Sequence, residues 1–187
     1  MKFINTYLFN KRALTYMSLN QREHRFVNYD KAKTVLLLFE SDFNEKNPVI
    51  RKIIQSLQQD GKKVSAWGFI DKKEVTSAIL PDFKILHHQH TDFFHKPHTE
   101  FFRELEDLQF DLMIDLSLHL HFPLEYLALY ANAFCKTGLR KTDLPIYDFM
   151  LDFESLKSIE QDEENSFDEI YLFEQIIFYL KSIQTID

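Results

Sequence analysis

The segment HHQHTDFFHKPH places His87, His88, His90, His95 and His98 close together. Neutral imidazoles bind zinc, nickel or copper when several converge on one point. Here Pro97 interrupts the segment, no HExxH pattern occurs, and no carboxylate shares a helical face with two of the histidines. Adjacent histidines on an extended strand also point to opposite faces. The expectation is a solvated, histidine-rich loop with a weak pH response in the imidazole range, and no metal site. A second group is split along the chain. Glu40, Ser41 and Asp42 close one apolar run, and Asp115, Ser117, His119 and His121 close another. Carboxylates beside histidine can exchange protons with a ligand or hold magnesium. If the two runs are neighbouring strands, Glu40, Asp42, Asp115, Ser117, His119 and His121 line one crevice and form the candidate ligand site. Each carboxylate also has a structural use. Glu40 and Asp42 can solvate a loop, Asp42 can cap a helix, and Asp115 can bond a backbone turn.

Other chemistry is missing. Only Gly61, Gly68 and Gly138 are glycines, and the loop after the first strand, ESDFNEKN, has none. A phosphate-binding loop needs glycines so that the backbone can approach phosphate oxygens. The carboxylates of this loop would repel phosphate instead, so no cofactor of the NAD, FAD or ATP kind is expected. No GxSxG elbow is present. The single Cys135 excludes an internal disulfide and a thiolate metal cluster, and its apolar neighbours point to a buried thiol.

The elements that position the second group follow from patterning. KTVLLLFE, residues 33–40, is a β-branched and apolar run, as in a strand covered on both faces. Asn47 and Pro48 suit the cap and first position of a helix whose Ile50, Ile53, Ile54 and Leu57 share a face, and Gly61 ends it. KVSAWGFI, residues 63–70, completes a βαβ unit. Residues 83–88 give a third strand, 99–108 a helix and 110–116 a fourth strand. A helix opens at Pro123, and residues 134–138 and 146–153 are short fifth and sixth strands. Ser166 and Glu169 form a capping box for a last helix striped with Ile170, Phe173, Ile176, Ile177, Leu180 and Ile183. Residues 5–26 read as a poorly capped helix. Strand–helix alternation predicts a three-layer, doubly wound α/β fold. Its sheet, mainly parallel and of five or six strands in the order 3-2-1-4-5, is Rossmann-like. The expected organisation is a basic helical N-terminal segment, 1–30, and a Rossmann-like domain, 31–187, ending in the C-terminal helix.

Charge supports the same division. Net charge is −7 over 187 residues, yet residues 1–33 carry seven basic and two acidic side chains. This arm of +5 sits beside a body of −12 and is expected to fold against it. An acidic body disfavours nucleic acid as a partner. No apolar run approaches the roughly 20 residues of a membrane span, and the start lacks a signal-like core, which points to a cytoplasmic protein. The 19 phenylalanines call for an aromatic core or a sticky surface.

The runs FDLMIDLS, FPLEYLALYANA, FCKTGLRK, IYDFMLDF and FEQIIFYLKSI resemble a family of short uncharacterised bacterial proteins, catalogued as a domain of unknown function, from about Lys31 onward. The resemblance implies a shared fold and a cytoplasmic setting and brings no activity with it. The middle stretch is also similar to the N-terminal half of heptosyltransferase-type glycosyltransferases. There, a DLVIDL-like strand precedes a helix and a strand ending in glycine, here Gly138. The nucleotide-sugar site of those enzymes lies mainly in a second Rossmann-like domain, for which this chain has no room, so their donor chemistry does not carry over. The expected function is a non-enzymatic binding or protein-interaction module for an unknown protein or a small polar ligand. The alternatives are a small enzyme or metal-binding protein using Asp42, Asp115 and His119, or a degenerate glycosyltransferase-like half-domain. An open crevice favours chemistry, and one filled by Phe43 or Phe122 favours interaction.

Overall fold

The computed structural model describes residues 2–41, 47–72, 83–152 and 168–183. In chain order the elements are α1 (Lys2–Leu19), β1 (Thr34–Glu40), α2 (Pro48–Gln59), β2 (Lys63–Ile70), β3 (Lys84–His87), a 3₁₀ turn (His88–His90), α3 (Thr99–Asp107), β4 (Phe110–Asp115), α4 (Phe122–Tyr130), β5 (Ala133–Leu139), β6 (Phe149–Leu151) and α5 (Glu169–Ser182). All six strands are parallel, in the order β3-β2-β1-β4-β5-β6. This is the Rossmann-like α/β arrangement expected. Among the described residues no helix is long and apolar enough to cross a membrane.

Alternation along β1 builds two cores at once. Leu36 and Leu38 face a cluster with Trp67, Met113 and the buried faces of α1, α3 and α4. Val35, Leu37 and Phe39 face the opposite cluster with Ile53, Leu57, Ile114 and α5. Burial on both sides explains why these strands read as continuous apolar runs. Asp111 fixes the register of β4 beside β1. Its Oδ2 accepts from the backbone N–H groups of Lys33 (2.7 Å) and Thr34 (2.9 Å), and its own N–H donates to Thr34 Oγ1 at 2.9 Å.

Local chemistry departs from expectation in three places. Asn47 stands at the start of α2 but adopts a left-handed backbone, φ 34°, and its side chain pairs with Ser41 Oγ, at 2.8 Å from Nδ2 and 3.0 Å from Oδ1, rather than accepting from a helix N–H. Gly61, at φ +76°, ends α2 as expected of a residue without Cβ. The cap of α5 is Asp168, which accepts from Tyr171 N at 2.9 Å, while Ser166 lies outside the described residues. The third departure is at the N-terminus.

There the helix stops at Leu19 instead of running to residue 26. The chain beyond it lies along the part of β5 that β6 does not reach. Arg25 N donates to Phe134 O at 3.0 Å, and Arg22 reaches Ala133 O (2.6 Å), Phe134 O (3.0 Å) and Asp148 (2.6 Å). Claiming these edge carbonyls competes with continuing the helix. The arm folds against the body chiefly through rings. Phe9 is buried, edge-on to Tyr126 at 4.8 Å and 5.6 Å from Phe122. Covering by α1 leaves α4 buried from Pro123 through Leu129, which is why its sequence is apolar on every side.

Phe9→Ala should lower the unfolding free energy by about 3–5 kcal/mol, the usual cost of emptying a buried ring site, measured by urea denaturation. A loss below about 1 kcal/mol would mean that α1 is peripheral. The Asp111 carboxylate has a lowered pKa. Burial pushes it up, but the N–H groups of Lys33 and Thr34 and the Thr34 hydroxyl outweigh burial. Its stabilising contribution is therefore complete above the ordinary aspartate value near 4 and is lost as pH falls through the lower folded value. An NMR titration should place its midpoint below that of an unfolded aspartate, and Asp111→Asn should flatten this part of the acid-stability curve.

Candidate functional site

The connection leaving β1 runs over one face of the sheet through α2, and the connection leaving β4 runs over the other through α4. The loops part at this point, where ligands of open α/β sheets are bound. Glu40 ends β1. The segment after β4 crosses in front of it, held by Leu116 N to Leu38 O (2.8 Å) and Leu118 N to Glu40 Oε1 (3.1 Å). This crossing brings both loop histidines onto one carboxylate. His119 Nδ1 lies 3.0 Å from Oε1 and 3.1 Å from Oε2, and His121 Nε2 lies 2.8 Å from Oε2. Each contact places a proton on the ring nitrogen that faces Glu40.

Glu40 and His121 are largely buried, whereas the side chain of His119 is 77 % exposed. Burial pushes the Glu40 carboxyl up. The hydrogen bonds from His121 and His119, the charge of His119 and the Leu118 N–H outweigh burial and hold it at about 2. His121 packs on Phe69 at 5.4 Å. The group opens onto a cleft of about 430 Å³, whose walls include Phe69, Ile70, Asp71, Leu118 and Glu169. One donor atom from each of Glu40, His119 and His121 lies within 4.8 Å of the others, and among the described residues no other set of three such side chains does so.

Asp115 and Ser117 do not join this group. Asp115 is fully buried, and its Oδ1 accepts from Ser117 N (2.9 Å) and Ser117 Oγ (2.6 Å). Its Oδ2 accepts from Lys141 Nζ and from Tyr147 Oη, each at 2.6 Å. Lys141 also lies 3.1 Å from Glu125 Oε1, and Tyr147 Oη, whose single proton goes to Asp115, lies 3.3 Å from Glu125 Oε2. Burial first, then repulsion from Asp115, raises the Glu125 pKa against the pull of Lys141. Two carboxyl groups thus share the one Lys141 ammonium, Asp115 at 2.6 Å and Glu125 at 3.1 Å. Gly138 packs closely against this set: a Cβ would sit 3.0 Å from the Tyr147 ring and 3.1 Å from Asp115 Cβ, tighter than ordinary contact.

Patterning identifies neither Lys141 nor Tyr147, which read as ordinary residues of the RKTD turn and of a strand. Glu125 left one signal, a lone acid inside the apolar run PLEYLALY. Asp42 and Phe43 lie outside the described residues. Phe122 packs on Phe9, on the α1 side of α4.

The histidine-rich loop is engaged with its own neighbours. His87 and His90 rings approach to 3.9 Å, His88 Nε2 meets Asp71 at 2.6 Å, and His98 Nε2 lies 3.2 Å from Gln89 O. Burial, followed by the repulsion of nearby imidazoles, lowers the pKa of His87 and His90. Cys135 is fully buried, and burial followed by Asp148 pushes its thiol up to about 11.

Residues 6–183 match a family of unknown function, DUF6913. The chain belongs to this family. The match takes in most of α1 as well as the sheet. No curated protein and no solved structure matches the chain, and the similarity to heptosyltransferases gains no support.

Asp115→Asn takes the nearer of two carboxylates from buried Lys141 and leaves Glu125, 3.1 Å away, as its partner. It should destabilise the protein by about 3–5 kcal/mol in guanidinium unfolding, the cost of breaking a buried pair on one side. A loss under about 1 kcal/mol would show that the ion pair does not hold the turn.

Proposed function

We propose that this protein is a binding module whose ligand is a divalent transition-metal ion, held by Glu40, His119 and His121 at the crevice between β1 and β4. The observation that carries the reading is the convergence of two imidazole nitrogens on the two oxygens of one carboxylate, at 2.8–3.1 Å. A metal ion takes the place of the protons now shared there, since its ligands must be neutral imidazole and ionised carboxylate. Two nitrogens and one carboxylate suit zinc, cobalt, nickel or ferrous iron, whereas magnesium and calcium prefer oxygen throughout. Three protein ligands leave a coordination position open toward the cleft, as in zinc sites that bind water or a small ligand. Among the charged residues of the cleft wall outside the triad, Asp71 and Glu169 outnumber Lys72, which favours a cation over a polyphosphate. The reading places the module in the cytoplasm, in keeping with a single cysteine that is a buried thiol.

Titration of chelator-treated protein with Co²⁺ and Zn²⁺ near neutral pH, followed by calorimetry and by the visible spectrum of Co²⁺, tests this. One ion per chain is expected. Glu40→Gln and His121→Ala should each weaken binding by at least about tenfold, while His88→Ala leaves it unchanged. Binding that survives His121→Ala but is lost on His88→Ala would assign the metal to the histidine-rich loop and overturn the proposal.

A further inference from the structure

Lys136 lies on β5 with its side chain buried, 3 % exposed. Its Nζ donates to Ala128 O at 2.7 Å and Leu129 O at 3.1 Å, two carbonyls at the C-terminal end of α4. Among the described residues these are its hydrogen-bond partners. An ammonium has three N–H donors, whereas a neutral amine has two and a lone pair. Two carbonyl acceptors match the neutral amine, and an ammonium would keep one donor unsatisfied in the interior.

Among the described residues no carboxylate forms an ion pair with Lys136, and Asp148 is engaged elsewhere. Asp148 Oδ1 already pairs with Arg22 at 2.6 Å, and its Oδ2 accepts from the backbone N–H of Lys136 at 2.8 Å. Burial first, and then the Arg22 guanidinium, push the Lys136 amine down to about 7, with Asp148 opposing. Lys136 is also one wall of a cavity of about 670 Å³ between the N-terminal arm and the end of α4, shared with Tyr16, Arg22, Tyr130, Asn132 and Ile146. That volume is in the range of small-molecule sites.

We propose that Lys136 is a nucleophilic amine that forms an imine with a small carbonyl compound entering this cavity. The nitrogen lone pair attacks the carbonyl carbon, the carbonyl electron pair moves to oxygen, and a proton passes from nitrogen to oxygen to give a carbinolamine. Loss of that hydroxyl with the second nitrogen proton, as water, leaves the imine. No oxidant or reductant is consumed. A protonated imine retains one N–H, which can remain on Ala128 O, so the end of α4 keeps a donor. The inference does not rest on the metal reading, which concerns other residues and another cavity.

Near pH 7 about half of such a lysine is free amine, against roughly one part in 2,500 for an exposed lysine of ordinary pKa. The test treats the native full chain at pH 7 with propionaldehyde, and separately with glyoxylate, in the presence of cyanoborohydride. Peptide mass spectrometry then follows each lysine over time. Lys136 should be alkylated at least about tenfold faster than exposed Lys52 and Lys63, and this advantage should vanish in concentrated urea. Lys136→Gln, whose neutral amide keeps N–H donors for the carbonyls, should fold and lose the fast label. Labelling of Lys136 at or below the rate of Lys52, or labelling that appears only in urea, would overturn the proposal and leave Lys136 as a cap on α4.

Discussion

An ionised aspartate in the interior of a protein is tolerable only when a cation reaches it. Here that cation is Lys141, 2.6 Å from Asp115. Their attraction joins the end of β4 to the chain leaving β5, and Tyr147 and Glu125 extend it toward β6 and α4. Asp115 in turn holds Ser117 through both its N–H and its hydroxyl. Ser117 begins the short crossing that carries His119 and His121 over Glu40. The group at the cleft therefore hangs from a fully buried one, and the crossing is tied at its start to the carboxylate side of the sheet.

The sheet was readable because its strands are sealed on both sides. β2 spans the same eight residues that alternate and branch in the sequence, Lys63–Ile70, and the order of the first five strands follows from strand–helix alternation. Failures came where side chains bond to backbone at a distance. Nothing local says that Asn47 will turn left-handed to meet Ser41, or that Arg22 will leave a helix to reach carbonyls of Ala133 and Phe134. The crevice was readable to the extent that topology decides it. Glu40, His119 and His121 meet there because β1 and β4 are neighbours. Asp115 was drawn to the same place by its position at a strand end, but residues alternate in direction along a strand, and its buried partners lie further along the chain.

The phenylalanine-rich composition has a physical counterpart in how α1 and α4 are joined. Phe9, Phe122 and Tyr126 form one ring contact, and Tyr16 and Phe102 both pack on Tyr130. Aromatic rings cover large areas with few rotatable bonds, so a single-layer helix can be fixed at modest entropic cost. The outer side of α1 mixes exposed Phe3, Ile4, Tyr7 and Leu14 with Lys11, Thr15 and Ser18. Apolar residues on both sides explain why the helix carries no clear amphipathic signature.

The pairing of α1 with α4 also imposes an order on assembly. Arg12 and Tyr126, in contact in the folded chain, are separated by 114 positions. During synthesis the helix emerges first and meets its receiving surface only after most of the sheet has been made. Contacts of this span close late, because a long loop must be ordered before they repay its entropy. Until then the rings of α1 face water on both sides of the helix, a period in which a nascent chain is prone to associate with its neighbours. The element that seals the core of the finished protein is thus the one left longest without shelter while the protein is being made.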